Sequence, residues 1–318
     1  MPVLLRSTIQ GMEKIAFLFP GQGSQFAGMG KALADAYPSA RQVFEEADQA
    51  LSFALSKLCF EGPDEDMKLT QNTQPAMLTV SMAALAALRD NGFAPHYVAG
   101  HSLGEYSALV AAGAMQFADA VRLVRKRGQY MQEAVAPGVG AMAALLKLPE
   151  GKLDAVLQEA AQGEIVTAAN LNSPDQIVIA GHVAAVNRAV ELAKSAGAKR
   201  AVLLPVSAPF HCPLMKPAQE RLAADLNAIA FSDLKVPLIN NWQAREICAA
   251  ADARQGLYEQ VPNPVRWMDS IRYLAAQGVG RFIEVGAGSV LTGLLRNIDP
   301  ALRGSKFAEP GDLEKLTH

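Results

Sequence analysis

Short, unbroken apolar runs ending in glycine or proline alternate along this chain with longer stretches of helical period. Residues 15–19 (IAFLF) stop at Pro20-Gly21, the pattern of a strand buried on both faces. Helical patterns follow, clearest over residues 74–90, with Pro75 near the first turn and Gly92 just past the end. Residues 97–100 (YVAG) predict a second strand that passes through a serine–glycine turn into a helix, and another helix is expected over about 118–133. Strands alternating with helices in this way predict an α/β sheet with largely parallel strands.

From Gly138 the rhythm changes. Residues 141–148 (AMAALLKL) read as a strand, 152–161 as a helix, and 164–172 and 176–181 as two strands around Ser173-Pro174. A helix over 183–197 and a strand over 201–206 (AVLLPV) complete a β-α-β-β-α-β order, the ferredoxin-like pattern. The expected organisation is therefore a large α/β part, residues 12–135 and 208–318, with a small ferredoxin-like part inserted at 136–207. The α/β rhythm resumes with a helix over 214–228, strand 236–241 (VPLINN), helix 265–276, strand 281–285 (RFIEV) and helix 290–295. No internal repeat or low-complexity tract interrupts it.

Composition narrows the class without deciding it. Half of the 318 residues are apolar, enough for a large core, and a net charge of −2 argues against a general nucleic-acid partner. The longest strongly apolar stretch, 76–88, is too short for a bilayer and contains Thr79 and Ser81. The N-terminal residues MPVLLRSTIQGMEK lack the long apolar region and cleavage site of a secretory signal. Three cysteines without paired spacing, and no zinc-ligand pattern, fit a reduced cytoplasmic protein with no membrane partner.

The chemistry concentrates in residues 97–113, YVAGHSLGEYSALVAAG. Gly100-His101-Ser102-Leu103-Gly104 fits a nucleophile elbow, where a strand turns into a helix so sharply that glycines are needed on both sides. Such a turn holds a serine hydroxyl at a helix N-terminus, where free N–H groups can receive an oxyanion. The serine needs a base, and the chain has five histidines. His318 is terminal, His96 opens a strand, and His182 suits a capping or surface role. His101 sits inside the elbow, where its side chain is expected to point away from Ser102 and support the turn. His211, in PVSAPFHCPLM, falls where the chain returns from the small part to the large one, and clefts between parts are common sites. No third member of a triad stands out: Asp119, Asp154, Asp175 and Asp269 are available, none in a glycine-rich strand-end loop, and a backbone carbonyl can orient an imidazole instead. The loop PGQGSQ (20–25) is the best source of a second oxyanion N–H, because it lacks the third glycine and the downstream acid of a dinucleotide loop.

FPGQGSQ (19–25), GHSLGEYSALVAAG (100–113), VRLVRKRGQYMQ (121–132) and APFHCPLM (208–215) together resemble the malonyl-CoA:acyl carrier protein transacylases of fatty-acid synthesis. NLNSPDQIVIAGH (170–182), NPVRW (263–267) and EVGAGSVL (284–291) extend the similarity over nearly the whole chain. The resemblance implies a hydrolase-like α/β core with an inserted ferredoxin-like subdomain. It implies acylation of Ser102, His211 as base, the Gln260 carbonyl as the group orienting that base, and the N–H groups of Gln22 and Leu103 as the oxyanion hole. It matches Arg127 to the arginine that pairs with the malonyl carboxylate. A planar guanidinium grips a carboxylate bidentately, and an acetyl group would leave that buried charge unpaired. His101 and Phe210 are expected at the substrate pocket, Phe210 as the bulky residue that a methyl-branched substrate would meet. Two features depart from the family: the segment before Lys14 has no counterpart, and Ala287 stands where proline is usual, which puts that turn in doubt.

The implied partners are malonyl-CoA and acyl carrier protein, with no cofactor beyond the phosphopantetheine the carrier brings, no metal, and a monomeric enzyme. Arg125, Lys126, Lys199 and Arg200 are candidates for docking an acidic carrier. A serine hydrolase or thioesterase of the same fold, a trans-acting polyketide acyltransferase and a non-catalytic carrier-binding protein stay open from the sequence.

Overall fold

The structure, a computed structural model, describes residues 13–206 and 208–317. The segment without a family counterpart lies, up to residue 12, outside the described residues, as do Ser207 and His318. In chain order the strands are β1 (Lys14–Phe19) and β2 (Tyr97–Gly100), then β3 (Gly140–Leu146), β4 (Val166–Ser173), β5 (Gln176–His182) and β6 (Arg200–Leu203), then β7 (Leu238–Ile239), β8 (Glu246–Ile247), β9 (Val279–Val285) and β10 (Arg303–Phe307).

They form two sheets, one of six strands in the order β10-β9-β1-β2-β7-β8 and one of four in the order β4-β5-β3-β6. In the first, every pairing is parallel except β7 with β8, and in the second every pairing is antiparallel. The fold is thus an α/β core plus a ferredoxin-like antiparallel sheet. β1 explains why its sequence is an unbroken apolar run. Phe17 and Phe19 enter a core with the helix Thr70–Asp90, whereas Ala16 and Leu18 enter the core on the opposite face, with Trp267 and Ile271. A strand covered on both faces has no polar side to show. Burying each of these phenylalanines contributes roughly 2–3 kcal/mol of transfer free energy.

Several elements differ from their sequence reading. The helix expected from residue 74 begins at Thr70, so Pro75 lies in its second turn. The Leu69 carbonyl accepts N–H groups from Asn72 and Thr73, and the Thr73 hydroxyl bonds the Met67 carbonyl, which starts the helix early. β6 ends at Leu203 instead of residue 206, because Pro205 has no N–H for a ladder, and the strand read over 236–241 shrinks to Leu238–Ile239. The turn at Ala287 is formed: Ala287 is buried and the Gly286 N–H donates to the Phe307 carbonyl at 3.1 Å. Among the described residues no helix is long and apolar enough to cross a membrane.

Candidate active site

Three adjacent strands, β1, β2 and β7, deliver the site from their carboxyl ends. Ser102 follows β2 and caps the helix Leu103–Ala111 with φ 52°, a positive value that a side chain adopts only when its surroundings enforce it. Its flanking glycines are required by contact. A Cβ on Gly100 would stand 1.9 Å from the Gly104 carbonyl, and one on Gly104 would stand 2.0 Å from the Phe19 carbonyl. β1, the elbow and the helix thus approach backbone to backbone. Asn241, just beyond β7, ties the turn from the other side: its Oδ1 accepts the Ser102 N–H at 2.7 Å and its Nδ2 donates to the Gly100 carbonyl at 2.7 Å.

His211 Nε2 lies 2.6 Å from Ser102 Oγ, and His211 Nδ1 lies 2.9 Å from the Gln260 carbonyl. A carbonyl only accepts, so Nδ1 carries the hydrogen and Nε2 presents its lone pair to the hydroxyl. Burial first, then the nearby Arg127 charge, pushes His211 down to about 3, so the imidazole is neutral near pH 7. Like Ser102 it holds a positive φ, 57°. The four aspartates weighed as triad acids lie elsewhere: Asp119, Asp175 and Asp269 pair with Arg122, Lys147 and Arg266, and Asp154 opens the helix Leu153–Ala161.

Arg127, on the helix Phe117–Glu133, is 1% exposed and reaches Ser102 Oγ at 3.3 Å through Nη2. It donates to two neutral amide oxygens, Gln74 Oε1 at 2.8 Å and Gln260 Oε1 at 2.9 Å. Among the described residues no carboxylate lies within ion-pair distance of it, although a buried guanidinium ordinarily finds one.

Ser102 opens into a cleft of about 640 Å³, large enough for an acyl group on a long arm. Leu103 is the first helical residue, so its N–H has no carbonyl within the helix, whereas the Ser102 N–H is already taken by Asn241. Gln22, on the loop after β1, lines the same cleft, and its side chain accepts from Gln74 Nε2 at 3.2 Å. Phe210 lines it as well. His101 is among the residues lining the cleft, and its ring is held on Asn172 Oδ1 through Nε2 at 2.8 Å and edge-on against the Trp267 ring at 5.5 Å. His96 and His182 take structural duties, their Nδ1 atoms accepting the N–H groups of Ile15 and Ile165. None of the four candidate docking cations lines the cleft; the cation at its edge is Lys68. Lys126 pairs with Asp225 at 2.6 Å and Arg125 lies over the Phe53 ring at 4.2 Å.

Sequence reasoning missed Asn241, Gln74, Glu105 and the side-chain role of Gln260. Asn241 had a readable signal, an Asn-Asn pair closing a strand where open α/β sheets place their ligands. The other three announce themselves only through packing.

A hydroxyl hydrogen-bonded to a neutral imidazole is equipped to attack carbonyl carbon, so fold and site together fit the class of enzymes that handle acyl groups. Comparison with known proteins makes the class specific. The chain belongs to the acyl transferase domain family, whose model matches residues 16–305. It is 51% identical over 304 residues to the malonyl CoA-acyl carrier protein transacylase of Bacillus subtilis strain 168, covering 95% of this chain and 96% of that protein. The acyl carrier protein S-malonyltransferase of Vibrio cholerae superposes with a TM-score of 0.94 at 45% identity, over 95% of this chain and 99% of that one. A malonyl-transacylase solved in complex with its holo type II PKS acyl-carrier protein superposes with a TM-score of 0.92 at 45% identity, over 95% and 98%.

Proposed function

We propose that this chain moves a malonyl group from malonyl-CoA to the phosphopantetheine thiol of an acyl carrier protein, in fatty-acid synthesis, through a malonyl-Ser102 ester. Ser102 gives its proton to His211 Nε2 while Oγ attacks the thioester carbonyl, and the N–H groups of Leu103 and Gln22 receive the oxyanion. Collapse breaks the C–S bond, and the leaving CoA sulfur takes the proton from His211. The carrier thiol then loses its proton to His211 as its sulfur attacks the ester carbonyl; the C–Oγ bond breaks, the malonyl group leaves on the carrier sulfur, and His211 gives its proton to Ser102 Oγ. The Gln260 carbonyl stabilises the imidazolium in both halves. Ping-pong kinetics follow.

The observation that carries the malonyl assignment is Arg127: a buried cation without a carboxylate partner among the described residues, one hydrogen bond from Ser102 Oγ. A malonyl carboxylate supplies the missing anion, and an acetyl group does not. On this reading residues 12–135 and 208–318 carry nucleophile and base. Residues 136–207 form the smaller part, which contributes Met142 and Asn170 to the cleft wall. Phe210 excludes methyl branches, and His101 shapes the acyl pocket. The enzyme works as a cytoplasmic monomer without resident cofactor or metal.

Intact-mass spectrometry after brief mixing with malonyl-CoA or acetyl-CoA, followed by a chase with holo carrier protein, tests this directly. The expected result is a malonyl adduct on Ser102 that moves to the carrier, with little acetyl adduct. An adduct that decays equally fast without carrier makes the chain a hydrolase, and no adduct removes the enzyme reading.

A further inference from the structure

Glu105 lies one helical turn after the nucleophile and is 1% exposed, with no part assigned in acyl transfer so far. Its Oε2 accepts from Gln260 Nε2 at 2.6 Å and from the Asn241 N–H at 3.2 Å. The same Gln260 Nε2 donates to the Ser102 carbonyl at 2.9 Å, while Gln260 Oε1 accepts from Arg127 at 2.9 Å and the Gln260 main-chain carbonyl orients His211. One glutamine therefore touches the nucleophile's backbone, the base and the arginine.

Its amide can be turned two ways, and only one serves Arg127. With the oxygen outward, Gln260 accepts from the guanidinium. Flipped, it would present N–H groups to a group that has donors alone. An ionised carboxylate is acceptor-only, so Glu105 can meet only the NH₂ end of that amide; the Ser102 carbonyl and Asn241 Oδ1 accept from the same NH₂, and Glu105 is the charged one of the three. We infer that Glu105 is a positioning residue for malonyl selectivity: it locks the Gln260 amide so that the amide oxygen faces Arg127 and aims the guanidinium at the acyl group on Ser102. This rests on Arg127 as the carboxylate ligand proposed above. Glu105 itself touches no substrate.

A second line of support is electrostatic. Burial lifts Glu105 to about 7, against the opposing pull of Gln260, Asn241 and the Arg127 charge. Of the ionisable groups around it, burial holds Tyr106 up at about 12, burial and the Arg127 charge pull His211 down to about 3, and burial lowers both His101 and the Arg127 guanidinium from their ordinary values. Protonation removes the one charged acceptor among the three that hold the Gln260 NH₂, so the hold on that amide loosens and selectivity is expected to weaken as pH falls through about 7.

The test compares wild type with Glu105→Gln, whose side chain has the same shape and can itself turn its NH₂ toward Gln260. Malonyl and acetyl acylation are read by intact mass, and Ser102–His211 competence by labelling with a neutral fluorophosphonate. E105Q is expected to lose roughly 10–100-fold in malonyl kcat/KM, the range for one charge-assisted hydrogen bond. Acetyl acylation and fluorophosphonate labelling should each change less than about 3-fold. Wild type should lose malonyl preference between pH 8.5 and 5.5, and E105Q should show a flat ratio. Malonyl acylation that survives in E105Q, or that falls in step with labelling, overturns the inference. Should E105Q not fold, a flat wild-type ratio across that pH range overturns it alone. A wild type that never prefers malonyl instead removes the Arg127 reading and this inference with it, while a wild type that prefers malonyl and loses that preference in R127A isolates the test to Glu105.

Discussion

Arg127→Ala is the perturbation whose consequences the geometry defines most sharply, because the guanidinium acts on two groups at once. A carboxylate about 4 Å from a unit positive charge gains about 4 kcal/mol at an effective dielectric constant near 20. Desolvating the incoming carboxylate removes part of that gain, leaving about 3 kcal/mol, or roughly two orders of magnitude in malonyl acylation. Acetyl-CoA loses nothing of the kind. In wild type its methyl group strands the buried cation, so its acylation should hold or rise in the variant. The second effect falls on the base. Arg127 is the next cause, after burial, of the depression of His211 to about 3. Removing a repelling cation favours the protonated imidazole, so the acid limb of the acylation profile should move up in pH. Single-turnover acylation with each thioester, read by intact mass from pH 4 to 9, checks both effects in one experiment. Malonyl and acetyl rates that fall together, or an acid limb that stays in place, would refute the reasoning.

Three further outcomes are expected. Gly104→Ala places a methyl 2.0 Å from the Phe19 carbonyl oxygen, against backbone only, so urea unfolding should show a loss of about 3 kcal/mol or more. His211 is depressed in the folded chain from 6.5 to about 3, so the unfolded chain binds the extra proton in between. The stability this group contributes is present above pH 6.5 and lost as pH falls toward 3, by on the order of 5 kcal/mol in all. Glu105, raised from 4.5 to about 7, acts in the opposite sense, its contribution present below pH 4.5 and lost as pH rises through 7. Urea titrations of wild type and His211→Ala should therefore diverge below pH 6.5, with wild type losing ground, and parallel curves would refute this. Lys199→Glu with Arg200→Glu should raise the Michaelis constant for carrier protein about tenfold and leave that for malonyl-CoA unchanged. An equal rise in both would count against docking at these residues.

The distribution of what could be read from the sequence follows the chemistry of the signals. Ser102 was legible because its elbow demands glycines at two positions where backbones meet, and glycine is visible in a sequence. His211 was legible because only five histidines compete and the chain's rhythm changes beside it. β1 was legible because a strand covered on both faces must be apolar throughout. β10 was missed for the converse reason: Arg303–Phe307 is an edge strand paired only with β9, and just Phe307 of its residues is buried. The helix Ala250–Gln260 escaped because polar residues and Gly256 interrupt its apolar face, yet its last residue supplies the carbonyl that holds His211. That carbonyl shows why triad-hunting in the sequence had to fail. Every residue carries a main-chain oxygen, so an acceptor of that kind leaves no compositional trace. The same holds for the amide side of Gln260, whose task is set by three acceptors and one cation drawn from different parts of the chain. Ser102, His211 and Arg127 stand out by residue type and so can be read from sequence as candidates. Their aim is set by which neutral amide faces which neighbour, and that is a property of packing alone.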